Sequence, residues 1–446
     1  MPDQDTSKDI GQLYAAWGLS PETVQQVQQA EARLNQRGRL RAVDQLRAYN
    51  QLKVLRAFQH AGIAEAYFGG STGYGYGDEG RTRLEQALAE IMGAEAALLR
   101  LQISTGTQAI SMCFFGILRP GDELVSATGD VYDSLRTSIG HAQAQDEGSL
   151  RDFGIKFKKV ALRPDGSPDL AALTRAIGPQ TKMVLIQRSR GYASRPALGE
   201  AEFRAICQTV QAARQKLVGT RAGDLVIMAD NCYGEFTART EPCQWGADLV
   251  AGSLIKNPGG GLAPTGGYVA GRERLVDLAA ARLSAPGLNR EVGPTLGFTR
   301  QLTQGLYMSP HVVGESLKGM ILAAEVLQEA GFETSPGPDD ARGDIIQTVT
   351  FGQPEPMCAF CEAVQAASPV DSFVTPVPGP MPGYEHDVIM AAGAFVSGSS
   401  VELSADGPLC PPYTAYMQGG LVYDQVKLAL MIAVERFKNK RQHLPE

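Results

Sequence analysis

The sequence predicts an α/β fold, with a large domain built on a mainly parallel sheet and a smaller α+β domain after it. Short apolar runs bounded by turn residues alternate with helical patterns over residues 96–271, which is typical of parallel strands joined by right-handed crossovers. From about residue 285 a helix-rich stretch leads into strand-like, proline-rich segments. We therefore predict an arm of two helices over residues 1–60, a large domain over 61–300 and a small domain over 301–446.

Composition and charge exclude several classes of function. The chain has 446 residues, with 41 Lys and Arg against 48 Asp and Glu, and it lacks a basic stripe interleaved with aromatic residues, so nucleic-acid binding is not expected. No apolar run approaches the roughly 18 residues of a membrane span. The segment MPDQDTSKD has neither a secretory nor an Arg-rich targeting pattern. We expect a cytoplasmic protein that binds neither membranes nor nucleic acid.

The cysteines and histidines do not indicate a metal centre or a disulfide framework. The seven cysteines are odd in number and thinly spread, and the five histidines are not clustered. Cys358 and Cys361 form a lone CxxC in a segment with helical spacing. We interpret these two residues as core or helix-surface cysteines.

Two predicted strands end in groups that suit one cofactor. An apolar run over residues 225–229 ends in Asp230, and a second run over 247–251 leads to Ser253 and then to Lys256. Functional groups of parallel sheets gather at the carboxyl ends of strands, so Asp230 and Lys256 are expected at one edge. A lysine that forms a Schiff base and an acid that keeps a pyridine nitrogen protonated are what pyridoxal 5'-phosphate (PLP) requires. Either residue alone is more simply a surface lysine or a helix cap, whereas the ordered set favours PLP.

Other candidates stand where helices are predicted to begin. Ser104, Thr105, Gly106 and Thr107 follow a short strand and open a helix, where N–H groups and the helix dipole favour an anion such as a cofactor phosphate. An ordinary N-cap is the alternative. Tyr132, near the start of another predicted helix, could stack on a flat cofactor ring, although a core tyrosine is the commoner case.

Tyrosine and arginine side chains offer further donors for anions. Tyr74 and Tyr76 lie in a glycine-rich segment that Arg81 follows, and these three could contact a phosphate, with a surface loop as an equal alternative. Arg188, Arg190 and Arg195 lie just past a predicted strand end, where one of them could clamp a substrate carboxylate. The other two arginines are then solvated or structural.

Together these segments resemble the fold-type I PLP enzymes, and among them the methionine gamma-lyase and cystathionine lyase group. The resemblance is strongest to the branch known as aluminium resistance proteins. It runs from about residue 67 to 422 and is carried by STGYGYGDEGR, STGTQAI, GDVYDSL, IQRSRGYASRP, ADNCYGEF, GSLIKNPGGGLAPTGGYVAG and ELSADGPLCPPYTAYMQGG. It implies a seven-stranded, mainly parallel sheet in the large domain.

The resemblance also implies roles for single residues. Lys256 would carry the cofactor, Asp230 would pair with the pyridine nitrogen, and Tyr132 would stack on the ring and could assist proton transfer. The phosphate would be held by Gly106, Thr107 and Ser253.

Shared sites are a further implication of the resemblance. In the family a tyrosine and an arginine reach the phosphate from the neighbouring subunit, and Tyr74 or Tyr76 with Arg81 are the matching candidates. The resemblance therefore implies a homo-oligomer, a dimer with shared sites and often a homotetramer. Two positions depart from the family pattern: Ile255 replaces a hydroxyl residue, and Cys410, a substrate-binding candidate, stands where a basic residue is expected. The protein then uses another arginine or a different substrate.

We therefore expect a PLP-dependent carbon-sulfur lyase that removes a γ- or β-substituent, a thiol, from an L-amino acid. Methionine, homocysteine, cystathionine and cysteine are the candidate substrates, and a 2-oxo acid and ammonia are the other products. Lys256 would remove the α proton, and burial is expected to lower its pKa towards neutrality. A γ-replacement enzyme and a non-catalytic PLP-fold stress-response protein are the alternatives, and an aminotransferase is less favoured.

Overall fold

The computed structural model describes residues 4–140, 147–381 and 385–441. The chain divides into two compact units. The larger unit consists of residues 47–311 with 342–344, and the smaller unit combines residues 1–46 with 312–341 and 345–446. The division into an arm, a large and a small domain with borders at residues 60 and 300 stays a prediction.

The chain begins with three helices rather than the two predicted: α1 (Gln4–Ala16), α2 (Pro21–Gln36) and α3 (Arg39–Ala61). Pro21 opens α2 as expected, because its missing N–H is one that a first-turn residue does not need. The Ser20 side chain accepts a hydrogen bond from the Thr23 N–H and caps this helix. The short break between α2 and α3 interrupts a Gln- and Arg-rich stretch whose apolar spacing gives no sign of it.

Seven strands form the sheet of the larger unit. They are β1 (Ala96–Arg100), β2 (Glu123–Ser126), β3 (Lys156–Lys159), β4 (Thr181–Gln187), β5 (Val226–Asp230), β6 (Leu249–Ser253) and β7 (Gly267–Gly271), in the order β1-β7-β6-β5-β4-β2-β3. Strand β7 is antiparallel to both neighbours, and the remaining pairs are parallel. The predicted α/β fold with a mainly parallel seven-stranded sheet is confirmed.

Helices connect these strands and cover the sheet. They are α4 (Glu79–Met92), α5 (Gly106–Ile117), α6 (Asp133–Ile139), α7 (Leu170–Ala176), α8 (Glu200–Lys216), α9 (Pro242–Trp245) and α10 (Glu273–Leu283). The apolar face of α5 packs with α10 and with the strands, and the cluster includes Ile110, Phe114, Val276, Leu185 and Met228, all fully buried. This core fixes the start of α5 against the central strands.

The register of the central strands brings their ends together. Gln187 at the end of β4 pairs with Asp230 at the end of β5, and Asp230 pairs with Ala251 of β6. Because these strands are parallel, the residues that follow them lie at one edge of the sheet. Strand β3 is the outermost strand of the sheet, next to β2, and it carries the lysines Lys156, Lys158 and Lys159.

The smaller unit contains a five-stranded antiparallel sheet. Its strands are β8 (Glu333–Ser335), β9 (Ile346–Thr350), β10 (Val388–Ala392), β11 (Ser404–Pro408) and β12 (Thr414–Gln418), in the order β10-β11-β12-β9-β8. Helices α12 (Pro354–Ala366) and α13 (Tyr423–Arg441) belong to this unit, and so does α11 (Thr299–Glu329) from residue 312 onwards. The α+β character predicted for the C-terminal part is confirmed.

The CxxC pair lies on helix α12, where Cys361 is buried and Cys358 is partly buried, and neither forms a disulfide. Among the described residues no group of three or more His, Cys, Asp or Glu side chains is arranged to hold a metal ion. In the same part of the chain, no helix combines the length and apolar character needed to cross a membrane.

Candidate active site

Lys256 and Asp230 lie together at the edge predicted from the sequence. Asp230 ends β5 and is only 5% exposed, and Lys256 follows β6, the neighbouring strand. The two side chains interact electrostatically, each affecting the pKa of the other. The Lys256 Nζ lies 3.8 Å from the centroid of the Tyr233 ring, a cation–π distance. A basic nitrogen, an acid and an aromatic face therefore meet at one point.

Cys232 is a member of this site that the sequence did not reveal. Its backbone N–H donates to Asp230 Oδ1 at 3.1 Å, and its buried thiol interacts electrostatically with the Asp230 carboxyl group. A side chain at Gly106 would meet Cys232 Sγ at 3.3 Å and Ser253 Cβ at 3.4 Å. Glycine at 106 therefore keeps open a narrow space between α5, β6 and the loop after β5.

Tyr233 is the second member that sequence reasoning missed. Its backbone has φ of 69°, a left-handed conformation that a bulky residue seldom adopts. Such strained positions concentrate at functional sites, where the surrounding structure holds them. A tyrosine three residues beyond a strand-end acid was the only signal in the sequence, and it did not distinguish Tyr233 from a core residue.

The beginning of α5 has both features that the sequence left as alternatives, an ordinary N-cap and N–H groups that could bind an anion. Thr105 caps the helix by accepting the Gln108 N–H at 3.0 Å, and the Ser104 N–H and hydroxyl both donate to Gln108 Oε1 at 2.8 Å. Helix geometry leaves the first N–H groups, those of Gly106 and Thr107, without partners inside the helix. These N–H groups form the positive end of the helix dipole, which favours an anion.

Tyr132 is tied to the same helix end. Its hydroxyl donates a hydrogen bond to Thr107 Oγ1 at 3.1 Å, and Thr107 Oγ1 also lies 2.9 Å from Ser134 Oγ. Burial raises the pKa of Tyr132, and Asp230 and Cys232 raise it further. The phenol therefore stays protonated at neutral pH and remains a hydrogen-bond donor.

The pKa of Lys256 differs from the expectation. Burial lowers it as predicted, but the nearby acidic groups of Cys232, Tyr233 and Asp230 outweigh that contribution, so the pKa of Lys256 is raised overall. The prediction of a lowered value was wrong because it counted desolvation and not the cluster of acids that the fold assembles. For Asp230 burial raises the pKa and the charge of Lys256 opposes that change.

Arg81 stabilises a surface loop that carries Tyr74 and Tyr76. The Arg81 guanidinium, 5% exposed as a residue, donates to the backbone carbonyls of Gly75 (2.9 Å), Gly293 (2.6 Å) and Glu291 (3.2 Å). The Tyr74 and Tyr76 side chains are 72% and 60% exposed, with ring centroids 5.6 Å apart. Arg81 thus holds the loop that presents both tyrosines to solvent.

Arg188 and Arg190 are both buried in the larger unit. The Arg188 guanidinium donates to Asn231 Oδ1 (2.9 Å), Gly234 O (2.6 Å) and Thr237 Oγ1 (2.9 Å), and it stacks over the Trp245 ring at 4.6 Å. Arg190 Nε donates to Arg195 O at 3.1 Å. Arg188 therefore has protein acceptors on both terminal nitrogens, an arrangement of a scaffold residue rather than of a substrate clamp.

Cys410 lies in the smaller unit, in the turn between β11 and β12. It is partly buried, and its carbonyl accepts the Tyr413 N–H at 2.8 Å. All the other predicted site residues lie in the larger unit.

The geometry of the larger unit fits PLP. The space that a Gly106 side chain would fill, the open N–H groups beside it, a lysine at a strand end and an acid on the adjacent strand are the parts that this cofactor needs. A model of the methionine gamma-lyase family matches residues 23–438. The chain belongs to the methionine gamma-lyase family. The resemblance inferred from the motifs is thereby confirmed, and PLP is the cofactor of this family member.

Other proteins extend the comparison. The uncharacterized protein YnbB of Bacillus subtilis strain 168 is 46% identical over 399 residues, which cover 90% of this chain and 93% of YnbB. A carbon-sulfur lyase involved in aluminum resistance from Clostridium novyi NT superposes with a TM-score of 0.89 at 41% identity, covering 96% of this chain and 98% of that one. The pyridoxal-5'-phosphate dependent protein YhfS from Escherichia coli, at 19% identity, shares the fold with a TM-score of 0.57 over 88% of this chain and 97% of its own.

Proposed function

We propose that the chain is a PLP-dependent carbon-sulfur lyase. It would remove a thiol from the γ or β carbon of an L-amino acid such as methionine, homocysteine, cystathionine or cysteine, and would release a 2-oxo acid and ammonia. The observation that carries this proposal is the meeting of Lys256, Asp230 and Tyr233 at the strand ends, beside the space that Gly106 keeps open. Membership of the methionine gamma-lyase family supports the same chemistry.

Each site residue has a distinct task in this proposal. The cofactor, when bound through Lys256, supplies a ring that withdraws electrons from the substrate α carbon. Asp230 would hold the proton on the ring nitrogen, and Cys232 would orient Asp230 through its backbone N–H. Lys256 would take the α proton, because its Nζ lies beside Asp230 at the strand ends; this role requires the neutral amine, although its acidic neighbours raise the pKa of Lys256. Tyr132, a neutral donor bound to Thr107, would stack on the ring and pass a proton to the departing thiol.

The phosphate would be held at the beginning of α5. Gly106 and Thr107 offer N–H groups there, and Ser253 borders the same space. Ser104 and Thr105 would act indirectly, since both use their side chains to fix the helix end through Gln108. This arrangement separates residues that bind the anion from residues that shape the binding site.

We also propose that the active protein is a homo-oligomer with shared sites. Tyr74 and Tyr76 are exposed on a loop that Arg81 holds in place, so the rings are available to a second copy. Leu52 on α3 is 65% exposed and shares a helix face with Leu55, three residues on. Leu296 on the segment beside the loop is 54% exposed, and apolar surface of this kind is typical of subunit contacts.

The proposal is tested by a product assay on the purified protein with PLP. Each candidate amino acid is added separately, and the 2-oxo acid and the thiol are both quantified while the cofactor absorbance is followed. Release of both products from one sulfur amino acid is the expected result. The Lys256→Ala variant is the matched control, since it lacks the base and leaves the rest of the site unchanged.

Two outcomes would contradict the lyase. If products form only after a second thiol or other nucleophile is added, the reaction is γ-replacement. If the cofactor absorbance responds to none of the amino acids and no product forms, the chain is a PLP-binding protein without this activity.

A further inference from the structure

Near Lys256 lies a second acid, Glu235, that the proposed chemistry does not use. Glu235, in the loop after β5, is fully buried. Its Oε1 accepts a hydrogen bond from the Tyr268 hydroxyl of β7 at 2.7 Å, and its Oε2 has no hydrogen-bond partner among the described residues. An ionised carboxylate with one oxygen buried and unpaired is costly, whereas a neutral carboxylic acid is tolerated.

The Glu235–Tyr268 pair is connected on one side to the residue after Asp230. The Tyr268 hydroxyl accepts a hydrogen bond from Asn231 Nδ2 at 3.3 Å, while Asn231 Oδ1 accepts from Arg188 Nη1 at 2.9 Å. Arg188 in turn lies 3.7 Å from Glu241. This chain of contacts gives Arg188 its place as a buried scaffold residue.

On the other side the pair is connected to the residue after Lys256. Asn257 Nδ2 donates to the backbone carbonyl of Glu235 at 2.9 Å. The pair also occupies a close-packed position over β6, because a side chain at Gly252 would lie 2.6 Å from Tyr268 Cε1 and 2.8 Å from Glu235 Oε1. Gly252 immediately precedes Ser253, so the pair packs against the strand that leads to Lys256.

We propose that Glu235 is a positioning residue that works as a neutral acid: together with Tyr268 it joins the residue after Asp230 to the residue after Lys256 and fixes the spacing of the two. This inference rests on the proposed function of Lys256 and Asp230. It assigns a role to a pair of side chains that are both fully buried.

The electrostatic surroundings agree with a neutral Glu235. Burial raises its pKa to about 8, with the Tyr268 hydrogen bond and Lys256 opposing that change and Glu241 adding to it. The groups that act on Glu235 are Tyr268 from β7, Lys256 after β6, Glu241 before α9, Cys232 in the same loop and Arg188 after β4. At pH 7 the acid therefore holds its proton in the folded chain.

The sign of the pH effect follows from the two pKa values. An unfolded glutamate titrates near its ordinary value of 4.5, and folded Glu235 titrates near 8. Between these values the folded chain binds a proton that the unfolded chain does not, so this group's contribution to stability falls as pH rises and levels off above about pH 8. Glu235→Gln keeps an oxygen acceptor for Tyr268 and cannot ionise, so it removes this dependence.

The test compares urea unfolding midpoints of the PLP-loaded wild type and Glu235→Gln from pH 5 to pH 9. We expect Glu235→Gln to gain stability relative to wild type as pH rises, with the difference levelling off near pH 8, and to keep the lysine-bound cofactor absorbance. Glu123→Gln, which changes another buried glutamate on the same sheet, is the control. Its difference in unfolding midpoint from wild type should not show the rise towards pH 8 that is expected for Glu235→Gln. A difference in unfolding midpoint between Glu235→Gln and wild type that stays constant across this pH range would overturn the proposal that Glu235 is neutral.

A second variant tests the positioning role. Tyr268→Phe leaves Glu235 Oε1 and Asn231 Nδ2 without their shared partner, so we expect a shifted pH dependence of the cofactor absorbance and a kcat reduced more than KM is changed. An unaltered absorbance profile with unaltered kcat and KM would disprove the role. If the wild type binds PLP but releases no product from any amino acid, the lyase proposal fails, while the unfolding and absorbance comparisons still decide the role of Glu235.

Discussion

The Tyr132 hydroxyl donates to Thr107 Oγ1 at 3.1 Å, and together with the Thr107–Ser134 contact it joins the beginning of α6 to the end of α5 that is proposed to bind the phosphate. Tyr132 is thereby held by the same helix end that would anchor the cofactor. Its ring orientation and the cofactor's position are consequently linked. A change in one of the two residues should therefore be felt in both binding and turnover.

Tyr132→Phe and Thr107→Val separate these two effects. Each removes one partner of the hydrogen bond, and a loss of about 1 kcal/mol should weaken PLP binding by roughly fivefold in both. Only Tyr132→Phe removes the proposed proton donor, so its kcat should fall by a further factor on the order of 10² or more. Cofactor titration and steady-state kinetics measure these quantities. An equal loss of kcat in the two variants would leave Tyr132 with a structural role alone.

Lys256→Ala should lose the covalent attachment of PLP. Wild type reduced with borohydride should retain the cofactor in mass spectrometry after denaturation, and the variant should not. Lys182→Ala is the control, because the Lys182 Nζ forms an ion pair with Asp224 Oδ2 at 2.6 Å near the start of β4, away from the strand ends that carry Lys256. Cofactor retained by reduced Lys256→Ala would show that another lysine carries it.

Asp230→Asn tests the charge of this acid at nearly constant shape. The variant should still bind PLP at Lys256, because the asparagine keeps an oxygen to accept the Cys232 N–H. Turnover should fall by orders of magnitude, since a neutral amide cannot stabilise a proton on the ring nitrogen. Turnover equal to that of wild type would rule out the proposed role of Asp230, and cofactor absorbance provides the check on binding.

Arg81→Lys should loosen the loop that carries Tyr74 and Tyr76. A lysine cannot reproduce the forked contacts to three carbonyls, so we expect a loss of about 1–3 kcal/mol in the free energy of unfolding and faster proteolysis within the loop. Arg83→Lys is the matched control, because Arg83 is partly exposed and pairs only with Glu79 across one helical turn among the described contacts. An equal free energy of unfolding for the two variants would contradict the role of Arg81 in holding this loop.

Leu52→Glu tests the subunit contact proposed for α3. A charge on an exposed apolar face should weaken self-association, and light scattering after size exclusion should show a smaller species than wild type. Val218→Glu places the same charge at a side chain that is 78% exposed elsewhere in the larger unit. If the two variants and wild type have one mass at every concentration, this helix face is not the contact.

The strand-end acid and lysine could be predicted from sequence because both follow short apolar runs with turn residues after them. The same logic placed Gly106 and Thr107 at a helix beginning. These features depend on local patterns, and local patterns decide where a strand or helix ends. The number of strands came instead from the family resemblance.

The parts that sequence reasoning missed depend on contacts between distant segments. Arg188 follows a strand end as predicted, yet its partners lie more than 40 positions along the chain and only the fold brings them to it. Tyr268 belongs to an apolar strand and gives no local sign that it meets Glu235. The raised pKa of Lys256 has the same origin, since its acidic neighbours converge only after folding.

The lysines of β3 have a consequence for the behaviour of the protein at high concentration. An edge strand offers unpaired backbone groups to any other extended chain, and the three lysines of β3, two of them ion-paired with Glu123 and Asp130, oppose such pairing because their charged groups are hydrated. Two molecules approaching through this edge would have to remove water from these charged groups. The seven-stranded sheet is thereby protected at β3 from growing into an aggregate by strand addition.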